Sequence, residues 1–230
     1  MARRRSLVAR LARIVGIAAL VLMGLFVALV ALYTVTPPVS TLMIARTILG
    51  KPYERVAIDL GAVSRPAIAA VVASEDASFC TNGGVDWGAL KEVLDRAGRS
   101  GPSRGASTIT MQTAKNLFLW PGRSSIRKGI EIGMALVLGQ VWSKRRTLEA
   151  YLNVAEWGEG VFGIEAAARR DFHKRAADLT LREGALLATS LPNPIRRNAA
   201  RPAAFQQRLA ASLEAKVQAA PDLLACLPRL

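Results

Sequence analysis

Glu75-Asp76-Ala77-Ser78-Phe79, then Gly105-Ala106-Ser107-Thr108-Ile109-Thr110-Met111-Gln112-Thr113-Ala114-Lys115-Asn116, then Arg127-Lys128-Gly129-Ile130-Glu131 follow one another along the chain. Two carboxylates, Glu75 and Glu131, therefore bracket a polar stretch. A pair of acids supplies proton transfer, and Lys115, Arg123, Arg127 and Lys128 lie between or beside them, where cations hold an anionic leaving group. The combination points to group transfer from a phosphorylated donor. Ser107, Thr108 and Gln112 add hydroxyl and amide groups able to bind sugar or diphosphate oxygens.

Working outward, the spacing predicts helices on both sides. A helical pattern over Pro66 to Ser74 delivers Glu75. Gly98, Gly101, Pro102 and Gly105 mark residues 98–107 as a loop. Ser124 reads as an N-cap, after which Ile126, Ile130, Met134, Val137, Leu138 and Val141 recur at helical spacing, so Glu131 sits on a long amphipathic helix. Leu148, Tyr151 and Leu152 belong to the next helix, and Ile164 to Phe172 to another. Thr180-Leu181-Arg182-Glu183 is a capping box, and Leu191-Pro192-Asn193-Pro194 closes the helix it opens. Ala203 to Ala219 reads as helix with Phe205, Leu209, Leu213 and Val217 on one face. No strand alternation of useful length appears, so the expected class is mainly α.

From Ile14 to Tyr33 no residue is charged, enough for a helix of about 30 Å across a bilayer. Arg3, Arg4, Arg5, Arg10 and Arg13 precede it, which predicts a cytoplasmic N-terminus with everything after Pro37 outside. The run exceeds a signal-peptide core, and Thr34 to Pro38 offers no small-x-small cleavage site. The expected organisation of the 230 residues is a basic tail over 1–13, a transmembrane helix over 14–34, a juxtamembrane segment over 35–64 and a domain over 65–230. A net charge of +14 spread through that domain suits anionic lipid headgroups or pyrophosphates, and the outward topology and sparse aromatics argue against nucleic acid. Cys80 and Cys226 face an oxidising compartment in this topology; nothing in the sequence brings them together, and the reading is two separate thiols.

Glu75 to Asp86, Gly105 to Asn116, Arg127 to Glu131, Lys144 to Asn153 and Gly163 to Lys174 resemble, in order and spacing, the five motifs of the peptidoglycan glycosyltransferase family, glycosyltransferase family 51. The resemblance implies a single transmembrane helix followed by a lysozyme-like α-helical glycosyltransferase domain in the bacterial inner membrane. It implies an enzyme that polymerises lipid II into linear glycan and releases undecaprenyl diphosphate by inverting displacement. Glu75 would be the general base on the acceptor 4-hydroxyl, Asp76 its support, and Glu131 the second essential carboxylate, orienting donor, pyrophosphate or metal. Ser107, Thr108, Gln112, Lys115, Asn116, Arg123, Arg127 and Lys128 form the implied substrate-binding set, with Lys115 and Arg123 on the pyrophosphate. No cofactor is required, though the pyrophosphate admits a divalent cation, Mg or Mn. Implied partners are lipid II, the growing glycan chain, membrane lipids, and other cell-wall synthesis and division proteins. Because the sequence stops soon after these motifs, the nearest likeness is to members with one catalytic domain.

The sequence departs from the family pattern at Asn82, in place of histidine, at Met111, in place of a glutamine, and at Asp171 and His173, in place of tyrosine and glycine. The motifs at 144–153 and 163–174 read as structural. Two rivals use the same residues: a lysozyme-like lytic enzyme, for which two carboxylates also serve, and an inactive scaffold of cell-wall assembly. The cations beside the acids speak against the first, since glycan cleavage leaves no pyrophosphate to neutralise. Gly158 to Gly163 matches a dinucleotide fingerprint, but a helix rather than a strand precedes it. Ser125-Ile126-Arg127-Lys128 matches a penicillin-binding motif without its companion elements.

Overall fold

The computed structural model describes residues 2–100, 106–122 and 124–227. The basic tail from Ala2 and the uncharged run after it form one helix, α1 (Ala2–Leu32), within which Ala9–Leu32 has a mean hydropathy of 2.9 and is long and apolar enough to cross a membrane. The successive residues Leu20, Val21 and Leu22 are all exposed. Residues 1–36 and 37–230 are separate compact units.

The second unit contains α2 (Thr41–Ile48), α3 (Arg65–Glu75), α4 (Trp87–Ser100), α5 (Ile109–Phe118), α6 (Ser125–Val141), α7 (Lys144–Val154), α8 (Ile164–Phe172), α9 (Leu181–Ser190) and α10 (Ala204–Gln218). Local chemistry starts these helices. Ser40, Ser64, Thr108, Ser124, Ser143 and Thr180 each accept a hydrogen bond from the N–H three residues on, and Glu183 completes the capping box at Thr180. Residues 98–100, expected in a loop, instead finish α4, and Gly105 lies outside the described residues. A small sheet escaped the sequence reading because its strands, β1 (Glu54–Arg55), β2 (Glu156–Gly158) and β3 (Val161–Phe162), are too short to alternate; the order is β1-β3-β2, with Glu54 opposite Val161.

The core is built around α3, whose residues from Ala67 to Ala73 are buried on every side. Alanine and valine make this helix thin, and α9 lies against it at Gly184, where a Cβ would come 2.6 Å from the Ala67 Cα. Only glycine permits that approach. Residues 37–64 pack within the same unit as the helices after them. Met43, Leu60 and Val63 are buried, and Thr41 Oγ1 donates to Leu119 O at 2.6 Å, tying α2 to the end of α5.

The expectation of two free thiols is corrected: Cys80 and Cys226, 146 residues apart, form a disulfide with Cα atoms 5.2 Å apart. The cause is tertiary. α10 and the 3-10 turn Pro221–Leu224 pack on α3, and this carries Cys226 to the loop that leaves α3. Replacing both cysteines by serine should lower stability by about 2–4 kcal/mol, because the unfolded chain regains the entropy of a long loop. A denaturant titration under oxidising conditions reads this as a lower midpoint; an unchanged midpoint removes the bond from the fold's energetics.

Candidate active site

Burial of α3 aims its C-terminal residue, Glu75, out of the core. Ser74 Oγ donates to Glu75 Oε1 at 3.1 Å and Gln112 Nε2, from α5, donates to Oε2 at 2.9 Å. Burial raises the Glu75 carboxyl above its ordinary value, opposed by these two donors and the charge of Lys115 and reinforced by that of Asp76. Such a group is less content as an anion than a surface glutamate and takes up a proton more readily.

Asp76 turns the other way and organises the backbone. It is 6% exposed, and its oxygens accept from Asn82 Nδ2 at 2.9 and 3.2 Å and from Ile109 N, at the amino end of α5, at 3.1 Å. The free N–H groups at a helix start favour a carboxylate there. Burial raises the Asp76 carboxyl too, against these hydrogen bonds, that of Ser78 and the charge of Lys144. Asn82 is the hub of this loop: its Oδ1 accepts from Gly84 N at 3.0 Å, its backbone carbonyl accepts from Lys144 Nζ at 2.7 Å, and Lys144 lies over the Phe79 ring at 4.6 Å. The departure from histidine therefore leaves a fully bonded loop in which one amide both donates to Asp76 and accepts from Gly84.

Glycine joins this loop to α6. Gly84 has φ +105, and a Cβ on Gly139 would lie 2.2 Å from Gly83 O, so the loop carrying Asp76 and the helix carrying Glu131 meet backbone to backbone. Glu131 is 2% exposed; Arg127 Nη1 reaches its Oε2 at 3.2 Å and Lys128 Nζ its Oε1 at 2.6 Å. Lys128 also donates to Ser107 Oγ at 2.6 Å. Lys115 feels Glu131, Arg127, Lys128 and Glu75, and burial lowers its pKa. Three cations thus face one carboxylate, and the buried Nε of Arg127 has no hydrogen-bond partner.

Two cavities open among these residues. One, of about 400 Å³, is lined by Gln112, Lys115, Asn116, Arg127 and Tyr151. The other, of about 230 Å³, is lined by Glu75, Asp76, Asp86, Ser107 and Lys216. Glu75 and two of the cations, Lys115 and Arg127, therefore line different cavities. The sequence profile of the transglycosylase family matches residues 42–217. This chain belongs to the transglycosylase family. It is 50% identical over 218 residues to the biosynthetic peptidoglycan transglycosylase of Nitrobacter winogradskyi, covering 94% of this chain and 96% of that protein. It is 51% identical over 204 residues to the protein of the same name from Rhodospirillum centenum, at 86% and 88% coverage. The Brucella suis protein of that name is 47% identical over 208 residues, at 90% and 93% coverage.

The transglycosylase structure brings together Glu75, Asp76, Ser107, Gln112, Lys115, Arg127, Lys128 and Glu131, with Asn116 at the rim of the larger cavity. Arg123 lies outside the described residues. Thr108 is committed to the backbone: 2% exposed, it caps α5 and donates to Gly84 O at 2.6 Å. Met111 is wholly buried, so its departure from glutamine is absorbed by the core. Asp171 is held by both Nε and Nη2 of Arg170, and His173 takes the left-handed end of α8 at φ 56. The motif at 144–153, read as structural, contributes Lys144 to the Asp76 loop and Tyr151 to the Gln112 side chain; Glu149 and Asn153 do bind the backbone of residues 58–60. Lys216, which donates to Ala73 O at 2.6 Å beside Glu75, carried no sequence signal, because it lies on α10 outside every motif.

These residues do not fit a resident divalent ion. Both oxygens of Glu131 are taken by cations, Asp76 is saturated by donors, and among the described residues no three His, Cys, Asp or Glu side chains gather.

Proposed function

We propose that this transglycosylase polymerises lipid II into linear peptidoglycan at the inner membrane and releases undecaprenyl diphosphate. The observation that carries the reading is the set of three cations, Lys115, Arg127 and Lys128, around one buried carboxylate, with the Arg127 Nε unpartnered. Positive charge in excess, held in place before the reaction, stabilises a departing pyrophosphate more than water does. Arg123 joins this group by resemblance.

Glu75 is the general base in this proposal. It takes the proton from the acceptor 4-hydroxyl as that oxygen attacks the donor anomeric carbon, and the carbon–oxygen bond to pyrophosphate breaks on the opposite face. Inversion needs base and leaving group on opposite sides of the reacting carbon, and Glu75 lining one cavity while Lys115 and Arg127 line the other suits that division. Asp76 holds the loop and the start of α5 in register with Glu75. Glu131 aligns Arg127 and Lys128. The test is labelled lipid II, and separately preformed glycan, incubated with the purified protein in detergent: lysozyme-digestible polymer from lipid II supports the reading, and shortening of the preformed glycan with no polymer from lipid II selects the lytic alternative instead.

Membrane contact extends beyond α1 in this reading. Ile126, Ile130, Val137 and Val141 on α6 are exposed, at 79, 39, 40 and 56%, as are Ile44 and Ile48 on α2. Apolar stripes left uncovered in a basic domain suit the interface of an anionic bilayer, with the arginine tail on the cytoplasmic side. A protein lacking residues 1–36 should still sediment with anionic vesicles after a high-salt wash. Serine at Ile126, Ile130 and Val141 should weaken that binding by at least about tenfold, on the order of one buried side chain's transfer energy. Equal binding by the two proteins removes α6 from the membrane contact.

A further inference from the structure

Tyr151 is the buried titratable group that the mechanism above leaves unused. It sits on α7, is 1% exposed, and its hydroxyl lies 3.2 Å from Gln112 Oε1. Gln112 Nε2 in turn lies 2.9 Å from Glu75 Oε2 and 3.5 Å from Ser107 O. Donor and acceptor logic fixes every proton in this chain. An ionised Glu75 only accepts and the Ser107 carbonyl only accepts, so Gln112 presents its NH2 to both; its carbonyl then faces Tyr151, which must donate. Burial pushes the phenol well above its ordinary value, and the charge of Glu75 adds to the effect, so the hydroxyl keeps the proton that the chain needs.

We propose that Tyr151 is a positioning residue that acts through Gln112, locking the amide with its NH2 toward Glu75 and so setting the orientation and basicity of that carboxylate. The proposal rests on Glu75 being the base. A glutamine amide has two nearly isosteric orientations, and only one of them gives Glu75 a donor. The other turns a carbonyl oxygen toward the carboxylate, which repels the anion and favours the protonated acid. Tyr151 makes the wrong orientation expensive, because it would set the buried hydroxyl against an NH2 group. The other charged or titratable groups around Glu75 are Asp76 beside it on α3, Lys115 on α5, and Asp86 and Lys216, which line the same cavity. Among the described residues none of these groups hydrogen-bonds to the Gln112 carbonyl, so none substitutes for the hydroxyl there.

The experiment is a double-mutant cycle on the full-length enzyme with lipid II in detergent, recording kcat, KM and the pH dependence of kcat/KM. Tyr151→Phe keeps the ring and removes the hydroxyl. It should lower kcat about tenfold with KM unchanged, the scale of one lost hydrogen bond in the transition state, and move the acid limb of kcat/KM to higher pH. Gln112→Met should show the same direction of limb shift, and the double variant should be no slower than Gln112→Met alone. Losses that multiply, or a Tyr151→Phe enzyme with an unmoved acid limb, overturn the relay. If Tyr151→Phe does not fold, an unmoved limb in Gln112→Met overturns it equally. Glu75→Gln is measured alongside: an inactive Glu75→Gln with uncoupled Tyr151 and Gln112 sinks the relay alone, whereas an active Glu75→Gln sinks the base assignment and the relay with it.

Discussion

Glu75→Gln is expected to slow lipid II polymerisation by at least about 10²-fold while melting at or above the parent's temperature. The rate falls because the amide cannot take the acceptor proton. Stability holds for a separate reason. The folded carboxyl titrates above its ordinary value of 4.5, with burial as the first cause, so the folded state binds a proton more tightly than the unfolded state. Stability carried by that proton is present at low pH and is lost as pH rises through the folded value. At neutral pH the ionised Glu75 is therefore a burden on the fold, and a neutral glutamine relieves it. The same shift predicts that the acid limb of kcat/KM lies above pH 4.5. Rate, melt and pH profile are read on one preparation; near-normal polymerisation by the variant would falsify the base assignment.

Glu131→Gln should fail differently, losing stability and rate together. The glutamine leaves Arg127 and Lys128 without their anion, and Arg127 is buried. Breaking a buried ion pair costs about 3–5 kcal/mol, and the lower end applies here because Lys128 is partly exposed. For a domain of this size about 3 kcal/mol is a fall of roughly 6–12 °C in Tm. Polymerisation measured well below that Tm should still drop by about 10²-fold, because the pyrophosphate cations are no longer aligned. A lower Tm with an unchanged rate at low temperature would make Glu131 purely structural.

The sequence was most legible where causes are local. The capping box at Thr180 and Glu183, the helix from Ile164 to Phe172 and the N-cap at Ser124 each depend on residues within a turn of one another, and each stands as expected. The acids and cations were found through motif order, and the fold that brings them together is the family's. Periodicity found the apolar stripe of α6 but says nothing of what covers it, and the buried face proved to be Arg127, Glu131, Ala135 and Leu138. On α10 likewise Leu213 is buried while Phe205 and Leu209 are half exposed, since Gln206 and Ala210 take the inner positions. Illegible throughout were relations set by packing: the glycine contact between the Asp76 loop and α6, the Tyr151 hydroxyl on Gln112, Lys216 beside Glu75, and the pairing of Cys80 with Cys226.

That pairing also imposes an order of events on the making of the enzyme. Cys80 lies four residues beyond Asp76, and its partner is 146 residues further along the chain. In the proposed topology the chain after α1 crosses the membrane in sequence order and presents the first motif early, and that motif waits unsecured until α10 and the turn after it have emerged and docked on α3. An enzyme stalled part-way through export would carry both acids and all the cations yet lack the clasp on the loop beside its base. If the domain lies on the outer, oxidising side as proposed, the bond acts as a receipt for complete delivery, written by the cell's thiol-oxidising machinery. Cells short of that machinery should accumulate this protein with a looser first motif, even where its amount and membrane insertion are normal.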